Sequence, residues 1–180
     1  MLAPAWAETP YTQARSIQCG PTADGRIRPC LGGVNPNCTS TSSLNDLYGP
    51  AWRSSESTAE ATLQVLDGAV ASVCPKAELI AEKAVAGVAQ RALYRAYAVP
   101  SLFGRDTLEF LVRESGAADR RWRGDSEGPI VTCRSMAGSV KYVWLQTAVL
   151  DGGAQLRRLD AIRNELGWRV IGCKYIECYS

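Results

Sequence analysis

The chain has 180 residues, 46% hydrophobic and 21% charged, which is one domain's worth of ordinary globular sequence with enough apolar surface for a real core. Its 20 basic and 18 acidic residues leave a net charge of +2, too balanced for a polybasic protein of nucleic acid or membrane surfaces. It has no histidine, which excludes a Ser-His-Asp triad, a Cys-His dyad and any His-containing zinc, haem or di-iron site, and it has seven cysteines.

In chain order, Ala5-Trp6-Ala7 has the small-x-small form that signal peptidases cut after, without an apolar stretch upstream. Residues 1–7 are therefore expected to be a remnant of a targeting peptide. Residues 8–56 are rich in Pro, Gly, Ser, Thr and Asn, show neither helical nor strand periodicity, and read as an irregular arm ordered by cross-links and packing. The arm holds Cys19, Cys30 and Cys38, and two more cysteines, Cys173 and Cys178, lie near the C-terminus. No CxxC pair suggests zinc, so the cysteines read as disulfides in an oxidising compartment. The count is odd, so at least one is unpaired or pairs with another chain. Proximity favours Cys30 with Cys38, closing a loop around the turn formers Asn35-Pro36-Asn37, and Cys173 with Cys178. A structural bridge is expected at Cys30 and Cys38, a redox pair being the competing reading. Asn37-Cys38-Thr39 also fits the glycosylation sequon.

Residues 57–168 carry the periodic elements. Ser57-Thr58-Ala59-Glu60 predicts a capping box opening a helix whose apolar stripe is Leu63, Leu66, Val70 and Val73 and which Cys74-Pro75 ends. Strands are expected at 77–83, 89–99, 106–114, 129–135 and 140–149. In the second, Leu93, Tyr97 and Val99 oppose Ala92, Tyr94, Ala96 and Ala98. In the third, Leu108, Phe110 and Val112 oppose Thr107, Glu109, Leu111 and Arg113. A polar, Arg-rich turn spans 115–128. Asp151-Gly152-Gly153 opens a second helix with Leu156, Leu159, Ile162 and Leu166 buried and Gly167 just past its end. Residues 169–180 form a Cys-containing tail. Consecutive strands with helices at both ends predict an α+β domain: an antiparallel sheet of four to five strands with two helices on one face, preceded by a disulfide-linked arm.

Several residues are candidates for a site. Arg134, Arg157, Arg158 and Arg163 could converge on an anion or a partner near the N-terminus of the second helix, against a solvated face bridged to Asp160 and Glu165. Arg121, Trp122 and Arg123 mix cation and aromatic in a turn that could touch nucleic acid or a lipid headgroup; a solvated loop or a contact to a protein partner is the expected role. Trp144, Trp168 and Tyr142 are expected in the core or an interface. Asp106 and Glu109 lie three apart on a strand and so point to opposite faces, which argues against a shared acid/base role. No catalytic residue, metal site or cofactor is expected.

The run Cys30-Leu-Gly-Gly-Val-Asn-Pro-Asn-Cys38, with its Ser-rich continuation to Ser43, resembles the opening signature of domain-of-unknown-function family fourteen-ninety-nine. Asp106 to Val112 resembles that family's charged-and-apolar strand, Ile130 to Ser135 its Arg-Ser strand, and Asp151 to Arg163 its closing helix with paired basic residues. The resemblance spans about residues 30–168. Here Gly32-Gly33-Val34 lengthens the cysteine loop, residues 136–150 replace a shorter loop, and Cys19, Cys173 and Cys178 lie outside the pattern. Members are bacterial exported proteins or chloroplast and thylakoid-lumen proteins with no established reaction.

The resemblance implies a thylakoid-lumen domain, with the periplasm or another secreted compartment as the alternative. The function expected is that of a non-enzymatic accessory or assembly subunit bound peripherally to subunits of a membrane protein complex, a photosynthetic one by the resemblance. No nucleic acid and no transmembrane segment are expected. Two other readings compete. One is a small-ligand or lipid-binding module using the concave sheet face beneath the helices, which requires a closed apolar pocket there. The other is a thiol redox protein with an accessible low-pKa cysteine, Cys173 or Cys178 by their end location.

Overall fold

The computed structural model describes residues 17–86, 90–102, 104–115, 128–143 and 147–171, the side chain of Asn45 apart. Strands β1 (Cys38–Ser40) and β2 (Ala51–Arg53) flank a 3-10 turn at Asn45–Leu47; helix α1 (Ala59–Val73) comes next. Then come β3 (Glu78–Val85), β4 (Ala92–Ser101), β5 (Gly104–Arg113) and β6 (Ile130–Met136), the short pair β7 (Tyr142–Val143) and β8 (Thr147–Ala148), helix α2 (Ala154–Leu166) and β9 (Arg169–Ile171). The α+β class holds.

Among the described residues the main sheet has seven strands in the order β3-β4-β5-β6-β2-β9, with β1 also on β6. Every named pairing is antiparallel. β1 and β2 sit one beyond the other on the same edge of β6, opposite Arg134–Met136 and Ile130–Val131. Between them Thr41 completes the ladder: its N–H donates to the Cys133 carbonyl, and its Oγ1 accepts from the Cys133 N–H at 2.9 Å. The expected four to five strands are thus too few. Parts of the arm and of the tail add β1, β2 and β9, three-residue strands too short to display alternation.

The alternation in β4 and β5 works as period-2 logic demands. Leu93, Tyr97, Val99, Leu108, Phe110 and Val112 face α1 and α2, where they pack with Trp52, Leu66, Leu159, Ile162 and Trp168. On the opposite face Ala92, Tyr94, Ala96 and Leu111 pack against Ile27 of the arm. One sheet therefore has two covered faces, helices on one and residues of the arm on the other.

Helix boundaries depart from expectation in detail. Thr58, not Ser57, is the N-cap; its hydroxyl accepts from the Ala61 N–H at 3.2 Å. Glu60 instead forms an ion pair with Arg91 across the surface. In α2 the buried set is Gln155, Leu159 and Ile162, while Leu156 is exposed, so a glutamine takes the place expected for a leucine. Gly167 ends α2 in the left-handed region (φ 63°), its N–H bonded to the Arg163 and Asn164 carbonyls. Among the described residues no helix is long and apolar enough to cross a membrane.

Candidate functional site

β5 and β6 place Glu109 directly opposite Arg134 on the arm-covered face. Both are essentially fully buried and ion-paired. A buried pair is tolerated only when its remaining valences are met, and here they are. Glu109 Oε1 accepts from the Tyr94 hydroxyl at 2.5 Å and from the Gly20 N–H at 2.7 Å. Arg134 Nη2 donates to the Gln18 carbonyl at 2.9 Å. Arg28 Nε donates to the Gly20 carbonyl at 3.0 Å, and the Lys83 ammonium sits 5.4 Å above the Tyr94 ring. Desolvation, then the Glu109 charge, pushes the Tyr94 hydroxyl well above the ordinary tyrosine range, so it stays a donor.

The helix-covered face carries a second buried charge. Asp106 is buried and pairs with Arg158 of α2 at 2.8 Å. Its Oδ1 accepts from the Ser101 hydroxyl at 2.6 Å and from the Gly138 N–H at 3.2 Å; its Oδ2 also accepts from Gln155 Nε2 at 3.0 Å. Gln155 Oε1 accepts in turn from Ser135 at 2.6 Å and from Arg158 at 2.8 Å. Asp106 and Glu109 therefore lie on opposite faces, each consumed by its own arginine.

The four candidate arginines do not converge. Arg134 points to the arm side and Arg158 to the helix side of the sheet. Arg157 is exposed and donates to the Gly152 carbonyl, and Arg163 donates to the Trp168 carbonyl at 3.4 Å with Asp160 at 3.8 Å. The N-terminus of α2 already holds an anion: Asp151 Oδ1 accepts from the N–H groups of Gly153 at 2.9 Å and Ala154 at 3.2 Å. Register and helix phase decide this outcome, and neither is visible in residue spacing.

Cys30 and Cys38 form the expected disulfide, with Cα atoms 5.8 Å apart. The loop it closes is a clamp. Asn35 Nδ2 donates to the Ala137 carbonyl at 2.9 Å, Asn37 Nδ2 to the Val149 carbonyl at 2.7 Å, and Asn37 Oδ1 accepts from the Asp151 N–H at 2.9 Å. Asn37 is 1% exposed, so the sequon is closed to modification in the folded chain. Among the described residues Cys19, Cys74 and Cys133 are free thiols. Burial pushes Cys133 up to about 12, and desolvation followed by the Glu109 charge raises Cys19 although that residue is exposed. Neither has the lowered pKa of a reactive thiolate.

The sheet face beneath the helices is filled by the core around Trp52, Phe110 and Trp168, whose rings stack at tilted angles with Trp52 between the other two. Tyr142 donates to the Val34 carbonyl at 3.1 Å. Cys173, Cys178, Arg121, Trp122, Arg123 and Trp144 lie outside the described residues. Sequence reasoning missed Tyr94, Ser135, Asp151 and Gln155 as members of these networks. Glu109 within an otherwise apolar stretch of β5 was the one available signal.

No family model matches the chain, and neither a curated protein nor a solved structure matches it.

Proposed function

We propose that the chain is a non-enzymatic accessory or assembly subunit that docks peripherally on a membrane protein complex in an oxidising, extracytoplasmic compartment. The observation that carries this reading is an apolar edge. β3 ends the sheet order, and on it Leu79 and Ile80 are 52% and 53% exposed. Leu102, at 91%, tops the β4–β5 hairpin at the same end of the sheet, where Glu78 and Arg105 pair across strands. Adjacent large apolar side chains on an outer strand are what a protein partner covers. The buried charges support the same reading from the other direction. Glu109, Arg134, Asp106 and Arg158 all spend their hydrogen bonds inside the chain, as structural groups do.

The Cys30–Cys38 disulfide is compatible with an oxidising compartment. The thylakoid lumen and a photosynthetic complex come from the family resemblance alone. The test is co-migration. The chain, tagged at its C-terminus and released from gently solubilised membranes, is run on native gels beside a variant carrying Leu79→Asp, Ile80→Asp and Leu102→Asp. Salt-resistant migration with a large complex, lost in the variant, is the expected result. Migration of the unaltered chain as a free small protein overturns the reading.

A further inference from the structure

We propose that residues 18–28 are a strap that lifts independently of the domain, and that lifting uncovers a clamp for a short main-chain segment of a partner protein. The clamp is the Glu109–Arg134 pair. Arg134 holds the Gln18 carbonyl and Glu109 holds the Gly20 N–H, the two peptide groups on either side of Cys19. Both contacts go to backbone, so the clamp reads main chain; the side chain between is exposed, with its thiol beside Thr107. The residue after the gripped one must be glycine. Gly20 has φ +97°, and a Cβ there would stand 3.3 Å from Lys83 Nζ.

Two features make the strap easy to lift. Among the described residues its buried apolar anchorage in the arm-side cluster is Ile27; the other members belong to β4 and β5, with Ala81 and Val85 of β3 packed against them. Burying an ion pair costs desolvation, and opening the strap returns Glu109 and Arg134 to water. Opening is therefore opposed by one buried aliphatic side chain and a few hydrogen bonds, placing it among low-stability local openings. The occupant's chemistry is read from the strap seated there: a residue gripped at both of its peptide groups and followed by glycine, with an aliphatic side chain further on for the surface of Ala92, Ala96 and Leu111. This inference does not depend on the membrane complex, since it is tested on the isolated full chain.

Amide hydrogen exchange reads the strap directly. The Gly20 amide is expected to exchange faster than the Phe110 amide in the middle of β5. Ile27→Ala is expected to speed Gly20 by about thirtyfold or more while leaving Phe110 unchanged. Arg113→Ala, which removes the bond from β5 to the Gly25 carbonyl of the strap, does the same more weakly and serves if Ile27→Ala fails to fold. The second reading uses a fluorescent peptide with the sequence of residues 17–28, Cys19 replaced by Ser. It is expected to bind the strap-loosened variant at least about tenfold tighter than the unaltered chain, because the chain's own strap no longer competes. A peptide with Val in place of its first glycine is expected to bind neither. Exchange of Gly20 in step with Phe110 in every variant overturns the strap, and a peptide that binds no variant overturns the clamp.

Discussion

Glu109 and Arg134 are the residues on which the arm side of the domain turns. Each is stable in the interior only because the other is there and because Tyr94, Gly20 and Gln18 take up what remains. Glu109→Leu is expected to cost about 3–5 kcal/mol by stranding the guanidinium, whereas Glu109→Leu with Arg134→Met costs less than the two single changes summed. Urea unfolding of the four species checks this. Tyr94 sets an alkaline limit. Its folded pKa is raised, as is that of Tyr97, whose hydroxyl donates to Asp67. The unfolded chain ionises first, near about pH 10, so unfolding releases protons above that point. The stabilisation is complete below about pH 10 and is lost as pH rises toward the folded values. Melting temperature is expected to fall steeply above pH 10, and less steeply for Tyr94→Phe.

At the scale of elements, α2 is held to the sheet by polar rather than purely apolar contacts. Asp106, Ser135, Gln155 and Arg158 join β5, β6 and the first turns of α2, and Asp151 both caps the helix and reaches Gln155 at 3.0 Å. The disulfide loop fixes the segment leading into α2 through Asn37. Gly138 lets this corner close. A Cβ there would fall 1.8 Å from the Arg105 carbonyl oxygen, so backbone must move to admit any side chain. Gly138→Ala is expected to cost about 3 kcal/mol and to loosen the Asp106 network, read as lower Tm together with faster exchange of the α2 amides. Gly104→Ala also meets an unfavourable φ of +107°, but the nearest atom is 3.9 Å away. Its cost is backbone strain alone, about 1–2 kcal/mol.

At the scale of the whole molecule, the sheet joins distant parts of the chain. β2 lies between β6 and β9, and β9 comes directly after α2, so the two helices and the sheet close around Trp52 and Trp168, whose centroids are 6.4 Å apart. Trp168→Ala removes a ring from the centre of that closure. It is expected to cost about 3–5 kcal/mol and to lower the cooperativity of thermal unfolding, since β9 and the end of α2 lose their shared support. Protection in hydrogen exchange is expected to be deepest in β4, β5 and β6, which have pairing partners on both edges and cover on both faces.

Sequence by itself determined what depends on local period and composition. Alternation in β4 and β5, the stripe of α1, Leu159 and Ile162 of the α2 stripe, Gly167 at the end of α2 and the short-range disulfide are all properties of neighbours within a few residues, where geometry is set by backbone repeat. Only tertiary structure decided the rest. That Glu109 meets Arg134, that Arg158 meets Asp106 on the opposite face, and that Asp151 occupies the N-terminus of α2 are matters of register and phase. The same holds for β1, β2 and β9. Three residues carry too little pattern to announce a strand, and they become strands because β6 and β2 offer them an unfilled edge.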